Sequence, residues 1–125
     1  MSDPSEGPDD PAEAATLVRL HQRFGWWVLA LFLLQGLVLE SLHAVKADFY
    51  LSVASETRRL MWTLAHAHGS LLGLMNLGLA STLRDLDSWS AAPRQLASRA
   101  LLAATVLIPG GFFLGGLVVD RKSVV

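Results

Sequence analysis

The chain contains no cysteine, and this absence excludes disulfide bonds, iron–sulfur clusters and thiolate metal sites. It also has no excess of charge of either sign. The formal net charge is -1 and the basic residues are scattered, so nothing in the composition indicates nucleic-acid binding. The phosphate-binding patterns GxxxxGK[ST] and GxGxxG do not occur. The alternating strands of a transmembrane barrel are missing as well, which leaves α-helices as the expected regular structure.

What the 125-residue chain does have is three long apolar runs, at about residues 24–44, 60–83 and 97–119. Each reaches the roughly 20 residues that a helix needs to cross a hydrocarbon core of about 30 Å. A soluble all-α domain is the rival interpretation, but so short a chain is too small to enclose three uniformly apolar helices. The sequence therefore predicts an all-α integral membrane bundle of three transmembrane helices, with one membrane domain over residues 13–125. Such a protein is multi-pass in the cell membrane, with its termini on opposite sides.

Residues 1–12 are acidic and rich in proline, so we expect a disordered tail rather than a secretory signal, which would begin with basic residues. From Ala12 the composition favours helix. Trp26 and Trp27 are then expected at headgroup level, where indole rings prefer to lie. The basic residues that flank the three runs divide evenly between the two sides of the membrane. The positive-inside rule therefore leaves the orientation undetermined.

Glu40 and His43 are polar residues inside the first predicted helix, and they form an E-x-x-H pair. This spacing places a carboxylate and an imidazole on one helix face, as in the metal-binding helices of di-iron bundles. A di-iron site needs further carboxylates, and no other glutamate lies within the predicted spans. The alternative is that both side chains lie near the helix end and hydrogen-bond to each other or to interfacial water.

The second predicted helix contains His66 and His68 beside the small-residue pattern Gly69-x-x-x-Gly73, which predicts close approach of another helix. Asn76 lies on the same face as His66. The two histidines point about 200° apart on a regular helix, so they cannot share one metal ion. Antiparallel packing would put His66 at nearly the depth of the E-x-x-H pair. This cluster is predicted to bind a transition metal, to ligate haem, to relay protons, or only to hydrogen-bond the helices together.

The third predicted helix carries no acid and no histidine within the bilayer. Pro109 removes one backbone hydrogen bond near its middle, and a kink is expected there. Gly111 and Gly115 form a second small-residue pattern that predicts close helix packing. Ser55 is the predicted N-cap of the second helix, and Pro93 suits the first turn of the third.

Arg19-Leu-His21 at the entry to the first helix, together with Ala-His-x-His-Gly at residues 65–69, resembles small four-helix bacterial membrane proteins of the styrene-oxide isomerase and hydroxylaminobenzene mutase type. A closer likeness is to small bacterial multi-pass membrane proteins of unknown role. Styrene-oxide isomerase is a membrane oligomer that binds haem through a histidine of its second helix. The resemblance therefore implies that His66 or His68 is an iron ligand. This chain departs from the family in having leucine six residues after either histidine, where the family has asparagine, and no fourth helix is expected.

Three functions remain open on this sequence. The first is a small polytopic membrane protein whose polar intramembrane residues specify helix packing or assembly, without enzymatic activity. The second is a haem- or metal-binding membrane oligomer with redox or isomerase chemistry. The third is a proton- or ion-conducting component that uses Glu40 and the histidines. In each case the chain is expected to contact the lipid bilayer and to self-associate or join a partner membrane subunit, because three helices cannot shield His66 and His68 on opposite faces from lipid.

Overall fold

The computed structural model describes residues 11–86 and 88–122, and helices account for nearly all of these residues. Helix α1 spans Pro11–Ala44, and the connection that follows contains the short helix α2, Asp48–Leu51, and a 3-10 turn, Val53–Ser55. Helix α3 spans Glu56–Asp85 and helix α4 spans Ala91–Lys122. No strand occurs in the described residues, so the predicted all-α class is confirmed.

Each of the three long helices is longer than the apolar run that predicted it. They all begin before the run, within polar and alanine-rich sequence. An apolar run marks only the part of a helix that avoids water, whereas alanine, glutamate, arginine and leucine in the flanking segments also favour helix. Of the predicted acidic tail, Pro11 and Ala12 belong to α1, and residues 1–10 lie outside the described residues.

Helix α1 ends in a Schellman turn. The Ala47 N–H donates to the Leu42 carbonyl over 3.1 Å, and the Lys46 N–H donates to the His43 carbonyl over 3.1 Å. Lys46 adopts the left-handed conformation that this turn requires, with φ of 53°. Glycine usually occupies that position because it has no Cβ to clash with the backbone. The turn reverses the chain and places α3 antiparallel to α1.

Ser55 occupies the predicted N-cap position of α3, but its hydroxyl does not cap the helix. Instead the Ser55 hydroxyl donates to the Phe49 carbonyl over 2.6 Å. Arg59 in the first turns of α3 donates from Nη1 to the Tyr50 carbonyl over 3.3 Å, and the Tyr50 side chain is buried. These contacts hold the connection against the start of α3. Pro93 lies in the first turn of α4, as the sequence predicted.

Helix α3 packs against both α1 and α4, and its contact with α1 is very close. A Cβ atom on Gly73 would lie 3.0 Å from the Leu29 backbone nitrogen and 3.3 Å from the Gly25 carbonyl oxygen. One turn away on α3, the Phe32 ring fills the space in front of Gly69. Gly69 and Gly73, which the sequence predicts as a helix-packing pair, thus lie against α1 of the same chain.

Between α3 and α4, the Trp62 side chain occupies the space in front of Gly116, where a Cβ atom would lie 2.5 Å from Trp62 Nε1. The Trp62 Nε1–H donates to the Phe113 carbonyl over 3.3 Å, and the two rings stack with centroids 6.0 Å apart. At Gly115 the nearest contact is of ordinary length, and around the position of a Cβ on Gly111 no described atom lies within 4 Å. Within the described chain Gly115 and Gly116 thus face α3 and Gly111 does not, and close helix packing through Gly111 and Gly115 stays a prediction.

Two of the helices are long and apolar enough to cross a membrane, namely α1 and the Ala91–Val119 part of α4. Helix α3 is not among them, although its 30 residues make it about as long. Its sequence includes His66, His68 and Asn76, whose polarity lowers its mean hydropathy.

Candidate functional site

A polar cluster joins the three long helices in the interior of the bundle. His21 of α1, Asn76 of α3, and Ser98 and Thr105 of α4 hydrogen-bond in series, and we call these four residues the polar network. His21 Nδ1 lies 2.7 Å from Asn76 Oδ1, and His21 Nε2 lies 2.7 Å from Ser98 Oγ. Asn76 Nδ2 donates to Thr105 Oγ1 over 2.9 Å. His21 and Asn76 are completely buried, at 0% exposure, and the two hydroxyl side chains are nearly so.

The hydrogen bonds of the polar network determine which atoms donate. Asn76 Nδ2 also donates to the Leu72 carbonyl over 2.8 Å, so the amide orientation is fixed and Oδ1 faces His21. Since Oδ1 can only accept, His21 Nδ1 carries a hydrogen. In that tautomer His21 Nε2 accepts from the Ser98 hydroxyl. The Thr105 hydroxyl donates to a carbonyl one turn earlier in α4 over 2.7 Å. The four side chains therefore satisfy one another's hydrogen-bonding groups.

Helical spacing explains why these residues meet. His21 lies four residues before Gly25 and hence on the face of α1 that packs against α3. Ser98 and Thr105 are seven residues apart, which is two turns, so they lie on one face of α4. Asn76 lies one turn beyond Gly73, the α3 glycine that faces Gly25. The close approach of the α1 and α3 backbones at these glycines lets a side chain as short as asparagine on α3 reach His21 on α1.

Most of the polar network is not predicted by the sequence. His21 lies before the first apolar run and belongs there only to a short motif, while Ser98 and Thr105 are residue types that apolar helices commonly contain. A signal was present, because His21 is one turn before Gly25 and therefore shares the glycine-bearing face of α1. Only the position of Asn76 on the packing face of α3 was anticipated.

The predicted ligand cluster lines one cavity of about 430 Å³, with Glu40, His43 and His66 all on its wall. His66 Nδ1 lies 2.6 Å from the Phe32 carbonyl oxygen, to which it donates. The His66 ring packs against Gly36, where a Cβ atom would overlap it. Within residues 11–86 and 88–122, no three histidine, aspartate or glutamate side chains converge closely enough to hold a metal ion. The predicted residues thus share a cavity, but their donor atoms do not form a metal-binding set.

His68 points away from His66 and contacts α4, as the angle between them predicts. Its Nδ1 lies 2.9 Å from the Leu64 carbonyl, and its ring centroid lies 5.0 Å from that of Phe112 at an interplanar angle of 43°. His66, by contrast, contacts α1. Each histidine therefore has a different neighbouring helix within the same chain.

A larger cavity, of about 640 Å³, lies at the end of the bundle where α1 and α4 begin and α3 ends. We call it the arginine cavity, because Arg19, Arg84 and Arg94 line it. Arg94 is only 6% exposed, and its Nη1 donates to the Trp89 carbonyl over 3.4 Å. Its Nη2 lies 3.7 Å from the Glu13 carboxylate, and neither Nε nor Nη2 makes a hydrogen bond. In the sequence these arginines stand out only as charges that flank the apolar runs.

Comparison with protein-family models, with curated proteins and with solved structures finds no significant match to this chain. A function for this chain is therefore inferred from the residues and geometry described above. The resemblance to the styrene-oxide isomerase type stays a prediction.

Proposed function

We propose that this chain is a multi-pass integral membrane protein in which α1, α3 and α4 each cross the bilayer, with the termini on opposite sides. We further propose that the polar network fixes how these helices assemble, and that the protein acts as a structural or accessory membrane component rather than as an enzyme. The observation that carries the proposal is the placement of polar residues inside the bundle and apolar residues outside it.

The apolar side chains of α1 and α4 lie mostly on the surface. Trp27 is 76% exposed, Leu37 is 62% exposed and Leu107 is 70% exposed. The largest completely buried side chains are His21, Asn76 and Pro109. A soluble protein of this size shows the reverse distribution, and it rarely exposes large contiguous apolar surfaces. In the most apolar windows of α1 and α4 only 17% of residues are buried, which argues against their being core helices of a soluble domain.

Helix α3 also fits a membrane span, although its composition is more polar. Its 30 residues correspond to a length of about 45 Å, more than the roughly 30 Å of the hydrocarbon core. Asn76 is completely buried, and His66 and His68 contact α1 and α4 respectively. Polar groups inside a membrane are tolerated where they face protein. Leu71, Leu74 and Met75 are exposed in its central turns, where lipid would contact it.

Single-cysteine variants test the three-span topology directly, because the natural chain has no cysteine. Ser52 lies between α1 and α3, Ser88 lies between α3 and α4, and both are exposed. In sealed vesicles of one orientation, we expect a membrane-impermeant maleimide to label Ser52→Cys and Ser88→Cys from opposite sides. Labelling of both from one side would mean that α3 does not cross.

Leu34→Cys provides the control for the membrane setting itself. Leu34 is 59% exposed in the isolated chain and lies near the middle of the first apolar run. In lipid it should stay unlabelled from either side until detergent is added. Labelling of Leu34→Cys in intact vesicles would contradict the membrane location, whatever the loop cysteines show.

The proposed structural role rests on the burial of the polar network inside the helix bundle. Its imidazole and amide groups have no exposed surface and are hydrogen-bonded within the network, so no substrate contacts them. Hydrogen bonds between membrane helices contribute about 0.6 kcal/mol on average and up to about 1.7 kcal/mol, and they specify how helices pair. Self-association, or union with a partner membrane subunit, is part of the same proposal, because α1 and α4 keep large apolar faces outside the chain's own bundle.

The second candidate function is haem binding, which the family resemblance implies and one observation favours. The His66 Nδ1–H donates to the Phe32 carbonyl, which holds the ring and leaves Nε2 as the remaining donor atom. An axial haem histidine commonly has this kind of support. His66 would hold the haem iron through Nε2, and the haem would supply redox or Lewis-acid chemistry.

A visible-range absorption spectrum of detergent-purified protein, expressed with haem supplementation, tests this second candidate. If it is correct, the natural chain shows a Soret band, His66→Ala loses the band, and His43→Ala weakens it, because His43 lies on the same cavity wall without being the ligand. His68→Ala distinguishes the two candidate ligands: because that ring contacts α4, the band should persist in this variant if His66 holds the iron and be lost if His68 does. A colourless protein without iron or another transition metal would remove the haem and metal candidates together.

A further inference from the structure

We propose that the arginine cavity binds the phosphate of an anionic phospholipid headgroup. The inference rests on the proposed membrane location, because it takes the ligand from the surrounding bilayer. It assigns to this end of the bundle a specific lipid site in addition to the general lipid contact of the apolar surfaces.

The charge of the cavity wall selects for an anion. Three guanidinium groups, from Arg19, Arg84 and Arg94, line the cavity, and no described aspartate or glutamate lines it. The Glu13 carboxylate pairs with Arg94, which leaves an excess of positive charge from Arg19 and Arg84. The planar fork of arginine matches the geometry of phosphate oxygens and can bind them through two parallel hydrogen bonds. A phosphodiester therefore offers the charge and the acceptor oxygens that this wall lacks.

Arg94 is the buried arginine of the cavity wall. Its Nε and Nη2 have no hydrogen-bond acceptor in the described structure. The nearest carboxylate, Glu13, is 3.7 Å from Nη2, too far for a hydrogen bond, and it already accepts from the Gln95 side chain. The ion pair with Glu13 therefore compensates the buried Arg94 charge without satisfying Nε and Nη2, and an additional anion in the cavity would stabilise the folded chain.

The depth of the cavity corresponds to the headgroup layer. Arg19 precedes Trp26 by seven residues, which is about 10 Å along α1. Trp26 and Trp27 are 58% and 76% exposed, and indole rings at such positions prefer the interface between hydrocarbon and headgroups. The arginine cavity is therefore displaced from the indole rings toward the water side, where lipid phosphates lie.

The size and lining of the cavity favour a lipid over a free anion. A volume of about 640 Å³ is far larger than one phosphate group needs. Val18, Leu83 and Leu86 contribute apolar wall beside the arginines. A headgroup with the glycerol and the first part of its acyl chains would contact both kinds of surface, whereas inorganic phosphate would contact only the arginines.

The test compares ligands on the full chain purified in a mild detergent, with thermal stability followed by tryptophan fluorescence. We expect phosphatidylglycerol to raise the melting temperature more than phosphatidylcholine or inorganic phosphate does. Arg19→Gln and Arg84→Gln remove one exposed guanidinium each and should weaken the apparent affinity for phosphatidylglycerol by about tenfold or more. Arg94→Gln should abolish the effect, and the two exposed variants keep the test decisive if Arg94→Gln does not fold.

Arg99→Gln is the matched control. Arg99 lies at the same end of the bundle and is exposed, but it does not line the cavity, so this variant should retain the response of the natural chain. An equal loss in Arg99→Gln, or an equal response to phosphatidylglycerol and phosphatidylcholine in the natural chain, would overturn the proposal. Inorganic phosphate as effective as phosphatidylglycerol would overturn the lipid assignment and indicate a soluble phosphate ligand.

The lipid proposal and the membrane proposal can fail separately. A chain that passes the cysteine-labelling test but does not discriminate phosphatidylglycerol contradicts the lipid site alone. A chain whose Leu34→Cys is labelled in intact vesicles, but which still binds inorganic phosphate through the three arginines, contradicts the membrane location and the lipid source.

Discussion

Gly73→Leu is expected to lower the stability of the bundle by about 3 kcal/mol, at the upper end of what overpacking costs. A Cβ atom at this position would lie 3.0 Å from the backbone nitrogen of Leu29 and 3.2 Å from its Cα. Backbone atoms cannot rotate out of the way as the end of a side chain can. The added side chain must therefore push α1 away from α3, which also separates the partners of the polar network. Unfolding of detergent-solubilised protein by added sodium dodecyl sulfate, followed by circular dichroism, measures the loss.

Gly78→Leu is the matched control on the same helix. Gly78 is exposed, and apart from the neighbouring turns of its own helix no described atom lies within 4 Å of where its Cβ would be. Because glycine inside a helix costs up to about 1 kcal/mol relative to alanine, this substitution should be neutral or stabilising. Equal destabilisation by the two variants would show that the close contact at Gly73 is not what matters. Crosslinking of the same samples should show no change in the number of associated chains for Gly73→Leu, since the Gly73 contact lies within one chain.

The positions of the three long helices could be predicted because hydrophobicity persists over whole spans. Runs of apolar residues at 24–44, 60–83 and 97–119 each correspond to one helix. The helix ends were less predictable, since alanine-rich and charged flanks favour helix without being apolar. The turn after α1 was not predictable, because Lys46 adopts a left-handed conformation that a sequence signals clearly only through glycine or asparagine.

The residues of the candidate sites were likewise predictable only in part. Glu40, His43 and His66 could be placed together because antiparallel packing fixes their depths, and they do line one cavity. Whether their donor atoms converge depends on side-chain directions that depth alone does not determine. The contacts of His21 with Ser98 join α1 to α4 across 77 positions of sequence, and no local pattern specifies such a pair. The arginine cavity likewise requires the ends of three helices to meet.

The second large loss of stability is expected for Asn76→Leu, a substitution within the polar network. This change keeps the number and branching of the side-chain heavy atoms but removes the acceptor of the His21 Nδ1–H, which is left buried without a partner. An unsatisfied buried donor costs about 1–3 kcal/mol, and the lost hydrogen bonds add to this, so we expect a loss of about 2–3 kcal/mol. Ser81→Ala is the control on the same helix, because its exposed hydroxyl donates only to the Leu77 carbonyl. It should change stability by less than about 0.5 kcal/mol.

A double-mutant cycle with His21→Phe shows whether the network acts as a unit. His21→Phe alone leaves the Asn76 carbonyl oxygen and the Ser98 hydroxyl without their imidazole partner. When both residues are apolar, the unsatisfied groups at their shared contact disappear together, so the double variant should lose less stability than the two single variants combined. We expect a coupling energy of about 1–2 kcal/mol, above the average of about 0.6 kcal/mol for membrane hydrogen bonds, because both groups are completely buried. Additive losses, within about 0.5 kcal/mol, would mean that His21 and Asn76 stabilise the bundle independently and that the network is not a packing determinant.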